Sequence, residues 1–339
     1  MARSATLDRW PDLSGIGLKD AGNPDARAAL LTVNAQMFAA APARDREIIE
    51  TFETLALGFL PRMDHRTLVD IARILAPCED TPASVLDRLV RHSPETRDIV
   101  IGHTVHLPPG LVAKLLGTAD GRLRLAVRPA LDVRTVDSLL AMHESAVDDA
   151  LAANPCLAGT GPAVAELVRR AQHRPTLGAI LLARGGLSPA EEAALYLCAD
   201  AERRRLIRER LAPSAGTRPD LATLRLTDHE AAALVAAAEA GDVRHLESLL
   251  TYAFGFPAST DWRVLATGRH PLLPLALKAL GLAERDAIRI LLGLHPALSH
   301  RLSCVTGLVR MGREPTRAVA LVLVEAVLGV QAGSGAAHR

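Results

Sequence analysis

The sequence predicts an all-α fold: a short-helix α-solenoid followed by a second helical lobe. Three observations carry this reading. Ala (59) and Leu (55) supply about a third of the 339 residues, and aromatic residues only 3%. The first two are strong helix formers, whereas strands favour β-branched and aromatic residues. Apolar residues recur at intervals of three and four along most of the chain and seldom alternate. Finally, a motif repeats through the middle of the chain with a period of 24 to 30 residues.

Taken in order, residues 1–22 form a loose lead containing Pro11, Gly15, Gly17 and Gly22. Asn23-Pro24 reads as an N-cap with Pro at the first helical position, opening a helix to Ala41. Its apolar face carries Leu30, Leu31, Val33, Met37 and Phe38. A second helix covers 44–58 and a third 65–76, so that 23–76 cap the array that follows.

The array spans 77–213 in about five units. Anchor residues Thr81, Leu107, Leu131, Leu157 and Leu187 stand 26, 24, 26 and 30 apart. Each is followed by a leucine (Leu89, Leu115, Leu139, Leu167, Leu195), at an offset of eight except where Gly159-Thr160-Gly161 lengthens it to ten. Ile101, Leu125, Leu151 and Leu181 each stand six residues before the next anchor. Thr81-Pro82, Ser93-Pro94 and Ser188-Pro189 place a cap before Pro at a first turn, and Ser188 with Glu191 forms a capping box. Pro129, Pro155 and Gly185 stand where a second helix must stop. Units this short leave about two or three turns per helix. Such helices are marginal alone and must stack to bury their apolar faces.

APSAGTRPD (212–220) leads into a linker at 214–226, and the second lobe occupies 227–330. Thr227 and Glu230 form a capping box for a helix to Ala240. Further helices fit 243–254, 259–267, 272–280, 283–294, 300–311 and 315–328, and the tail 331–339 is disordered.

The segments RDREIIETFETLALGFL (44–60), DTPASVLDRLVRHSPETRDIVI (80–101), DDALAANPCLAG (148–159) and DHEAAALVAAAEAGDVRHLESLL (228–250) resemble an uncharacterised bacterial family, domain of unknown function 2336. The resemblance spans about 25–330 and implies an all-helical, HEAT-like fold. It carries no accepted reaction, hence no catalytic residues.

Composition narrows the function classes. The longest runs without an acidic or basic residue, 28–43 and 150–165, have 16 residues each, short of the roughly 20 a membrane helix needs. The N-terminus lacks an apolar signal core, so a cytoplasmic protein is expected. Cys78, Cys156, Cys198 and Cys304 are too far apart for a CxxC unit and read as reduced, buried thiols. The net charge is +1, without the regional positive excess of a duplex-binding protein. His103 and His106 form an HxxH pair, but Pro108 and Pro109 end the helix at once. His143-Glu144 has Val147 where a zinc-protease motif needs its second His. Asp148-Asp149 point about 100° apart on a helix and read as a solvated helix start. No phosphate loop, GxSxG or SxxK occurs. No enzyme, no cofactor and no metal are expected.

Two partner surfaces remain as candidates. Basic residues recur along the array at Arg124, Arg128, Arg170, Arg174 and Arg184, and ERRRLIRER at 202–210 adds Arg204, Arg205 and Arg208. In register, Arg124, Arg128, Arg184, Arg204, Arg205 and Arg208 would line a groove for an acidic protein segment or a phosphate backbone; the alternative is a solvated, locally paired face. Tyr252, Phe254, Phe256 and Trp262 cluster within eleven residues, as an interface hot spot or as a pin holding a loop to the core. The function expected is a non-catalytic protein–protein interaction scaffold or adaptor binding along the groove, with a HEAT-like nucleic-acid-binding protein as the alternative. Between 81 and 212 the only aromatic is Tyr196, which leaves no base-stacking platform there.

Overall fold

Local capping chemistry sets the elements of the computed structural model, which describes residues 24–216 and 224–333. Among these, regular structure consists of twenty α-helices and two 3₁₀ turns, with no strand. The loose lead (1–22) and Asn23, residues 217–223 of the linker and 334–339 of the tail lie outside the described residues. The chain divides into two compact units, Met1–Val147 and Asp148–Arg339.

The first unit contains α1 (Pro24–Ala40), α2 (Arg46–Phe59), α3 (His65–Leu75), α4 (Ala83–His92), α5 (Pro94–His103), α6 (Pro109–Leu116), α7 (Ala119–Ala126) and α8 (Val133–Ala141). Helix α9 (Ser145–Ala153) begins in it and ends in the second unit. Side-chain N-caps start many of these helices: Asp45, Asp64, Ser93, Thr118 and Asp132 each accept a first-turn N–H. Ser93 completes a capping box with Thr96. Thr81 does not cap α4 as expected. Pro82 takes the N-cap position, and the Thr81 hydroxyl donates instead to the Leu75 carbonyl at 2.8 Å. Helices pack on their neighbours (α4 on α5, α6 on α7) and on the next but one (α3 on α5, α5 on α7, α2 on α4, α6 on α8). The leucines expected at the core, Leu89, Leu115 and Leu139, are buried, as are Ile101 and Leu125.

The second unit continues with α10 (Pro162–Ala171), α11 (Pro175–Arg184), α12 (Pro189–Ala194) and α13 (Ala201–Ala215). The Ser188–Glu191 box opens α12. After the linker come α14 (Asp228–Glu239), α15 (Val243–Phe254), α16 (Leu272–Leu280), α17 (Glu284–Gly293), α18 (Pro296–Ser299), α19 (Leu302–Arg313) and α20 (Arg317–Leu328). Thr227 and Glu230 form the predicted box at α14. Helix α20 packs on α12, α13 and α16, so the helices before and after the linker share one core. Leu151, Leu167, Leu181 and Leu195 are buried here. The helix expected at 259–267 is absent: those residues form turns, with Trp262 and Val264 buried.

Two helices meet their neighbours so closely that only glycine fits. A Cβ on Gly178 of α11 would lie 2.5 Å from Cys198 Sγ, and one on Gly121 of α7 would lie 2.7 Å from the Leu115 Cα. Gly178→Ala is therefore expected to cost about 1–3 kcal/mol, with most of the penalty absent in a Cys198→Gly background. Gly121→Ala should cost at least as much and resist rescue by Leu115→Ala, because backbone is the obstacle. Urea midpoints of the single and double variants check both.

Candidate functional site

Helix ends explain where the arginines go. The last four carbonyls of a helix lack an intrahelical donor, and a guanidinium brings five N–H groups in a rigid fork. Arg44 donates to the Phe38 and Ala39 carbonyls at the end of α1, both at 2.6 Å, and pairs with Asp80 at 2.9 Å. Arg122 donates to the Leu116 carbonyl of α6 at 2.7 Å and grips both oxygens of Glu144. Arg317 donates to Ala279 of α16 at 2.8 Å and to Leu224.

Of the six arginines expected to line a groove, Arg128, Arg184 and Arg204 donate to carbonyls, whereas Arg124, Arg205 and Arg208 pair with carboxylates. Arg124 and Arg128 belong to the first unit and the other four to the second. Arg124 pairs with Asp98, 26 residues earlier, and with Asp120 at 2.7 Å. Arg128 is only 4% exposed and donates to the Thr104 carbonyl, 24 residues earlier. Burial pushes its pKa down, with Asp132 opposing. Arg184 donates to the Leu157 carbonyl, 27 residues earlier. Arg204 and Arg208 share a face of α13, as predicted, and that face packs inward. Arg204 donates to the carbonyls of Tyr196 (3.2 Å) and Leu197 (3.0 Å), and burial lowers its pKa. Arg208 donates to the Tyr196 hydroxyl at 2.9 Å and pairs with Glu314 at 2.9 Å. Arg205 is exposed and held between Glu202 (2.5 Å) and Glu209 (2.6 Å).

Asp148 corrects the expectation of a solvated helix start: it is 3% exposed. Arg170, 22 residues later, reaches it at 2.7 Å, and Arg174 spans Asp148 (3.4 Å) and Asp149 (2.8 Å). Burial pushes the Asp148 carboxyl upward against the pull of Arg170 and Arg174. Glu166 joins through Arg169 and Arg170, which hold its carboxyl well below the usual range, at about 2, against a smaller opposing effect of burial. The sequence signal was available in the 22- to 27-residue separation of these partners, close to the period of the leucine motif.

The aromatic cluster is mostly core. Phe254, Phe256 and Trp262 are buried, and the two phenylalanine rings stack at 4.8 Å. The Trp262 indole N–H donates to Thr251 Oγ1 at 2.9 Å. Arg269 ties down the same loop by donating to the carbonyls of Trp262 (3.0 Å) and Asp261 (2.7 Å). As folded, these three rings offer no surface to a partner; Tyr252, 59% exposed, does. His103 ends α5 and His106 lies in the following loop; of the cysteines expected to be buried, Cys156 and Cys304 are exposed and Cys78 and Cys198 half-buried.

Sequence reasoning missed a cavity of about 400 Å3 in the first unit, between α6 and α8. Helices α6 and α7 give it Val112, Ala113, Leu116 and Leu125. The loops and the first turn of α8 give it His106, Arg128, Asp132 and Arg134, together with Leu107 and Leu131. Its walls come from two loops that meet only in the fold, so no local motif announces it.

Two outcomes test this geometry. Glu166 is depressed in the folded chain, so its contribution is present above about 4.5, the ordinary value, and is lost as pH falls toward 2. Glu166→Gln should be less stable than the parent at pH 7, and the gap should close on acidification; denaturant midpoints across pH read this. Trp262→Ala should cost about 3–5 kcal/mol and Tyr252→Ala within about 0.5 kcal/mol, measured by the same midpoints.

A model of a family described as an uncharacterised protein conserved in bacteria, DUF2336, matches residues 112–303. No curated protein and no solved structure matches the chain. The match spans more than half of the chain and includes the arginine-bridged helix pairs on both sides of α9; the chain belongs to this bacterial family.

Proposed function

We propose that the protein is a non-catalytic interaction scaffold or adaptor of the bacterial cytoplasm, built as a HEAT-like short-helix solenoid with a second helical lobe, and that it docks a partner protein on its first unit. The observation that carries this reading is the corner between α7 and α8. Val127 and Val133 flank the 128–132 connection at 63% and 76% exposure, with Leu123 also exposed. Leu123 and Val127, one turn apart on α7, together with half-exposed Arg124 make the mixed surface typical of a docking face. Stacked helix pairs extend such a surface over many residues. A protein partner is favoured over nucleic acid because Arg128, Arg184, Arg204 and Arg208 already donate to groups of the fold. Tyr196, the only aromatic between 81 and 212, is buried. Among the described residues no helix is long and apolar enough to cross a membrane.

A photo-crosslinking residue at 127 or 133, in the native host, tests the assignment. Protein adducts are expected at these positions, absent from a control at exposed Arg46 and lost from the 133 probe when Val127→Glu is added. Equal labelling at all three positions would contradict the reading. So would tight binding of the purified protein to single- or double-stranded DNA that weakens steeply with salt.

A further inference from the structure

We propose that the cavity between α6 and α8 binds a small aliphatic carboxylate, its tail against α6 and α7 and its head at Arg134 and Arg128. The wall is segregated by element. Its helical side toward α6 and α7 is purely apolar, through Val112, Ala113, Leu116 and Leu125. Its polar groups come from the loops and the start of α8. A volume of about 400 Å3 lies within the rough range of 300–1,000 Å3 for small-molecule sites, which combine apolar walls with a few placed polar groups.

The polar groups select the head. Arg134 is exposed and forms no ion pair among the described residues. It stands in the first turn of α8, where the helix dipole disfavours a cation. A bound anion would offset that placement. Asp132 turns its hydrogen-bonding oxygens to the start of α8 rather than to Arg134, accepting from the Thr135 N–H at 2.9 Å and the Thr135 hydroxyl at 2.5 Å. Arg128 is nine-tenths buried in the same wall, and an arriving anion would offset its burial, which already lowers its pKa. Two arginines against one aspartate leave a single positive charge, matched by one carboxylate, whose two oxygens fit a guanidinium fork. Val127 and Val133 are outside this wall, so the proposal stands apart from partner docking.

Calorimetric titration of the full chain with sodium octanoate tests it, with 1-octanol, octyltrimethylammonium and acetate as comparators. Saturable one-to-one binding of octanoate is expected, with each comparator weaker by about ten-fold or more. Arg134→Glu should weaken octanoate by about ten-fold or more without lowering the melting temperature, and Val112→Trp, which fills the cavity, should abolish binding. Absence of saturable octanoate binding would overturn the proposal, as would octanol binding equally well or Arg134→Glu leaving the affinity intact.

Discussion

The carbonyl groups at the ends of many short helices are the constraint from which the rest of this structure follows. Each helix leaves its last turn of C=O groups without intrahelical donors. Several of the helices here have only eight to ten residues, so a large share of the backbone is helix end. Arginine answers this need better than lysine, because its planar fork reaches two acceptors at once. Arg44 on α1, Arg122 on α6 and Arg317 on α16 do so directly. The sequence has 36 arginines and 3 lysines. The geometry gives many of these arginines a task.

The same side chains join successive helix pairs. Arg124 to Asp98, Arg128 to Thr104, Arg170 to Asp148, Arg174 to Asp149 and Arg184 to Leu157 span 22 to 27 residues of sequence. Short helices are marginal alone, and these bridges add directional contacts to the buried leucines between them. Near-neutral net charge is then the outcome of local matching, with carboxylates such as Asp148, Glu166 and Glu192 set against their guanidiniums.

Much of the fold was legible because its signals are local. The boxes at Ser188 and Thr227 need only residues within one turn, and both form. The leucine register needs only periodicity, and its leucines are buried. What failed depends on distant partners. Residues 259–267 look helical by composition, yet Trp262 reaching Thr251 and Arg269 gripping the Trp262 carbonyl hold them as turns. Asp148 looks solvated until Arg170 arrives from the next helix pair. The α6–α8 cavity combines residues of the loops after α5 and α7, joined by the Arg128 bond to Thr104. Sequence shows the charge of the arginines and not the carbonyls and carboxylates that face them in the fold.

The most direct measurement is the stability of Arg44→Lys beside Arg44→Ala, with Arg46→Lys as an exposed control. Lysine keeps the charge facing Asp80 but offers a single nitrogen where Arg44 sets two, Nε on the Phe38 carbonyl and Nη2 on that of Ala39. If fork geometry at helix ends governs the fold, Arg44→Lys loses about 1–3 kcal/mol, close to the alanine variant, and the control stays at the parent's urea midpoint. A lysine variant as stable as the parent, beside a destabilised alanine variant, would show that charge alone suffices and would contradict the account.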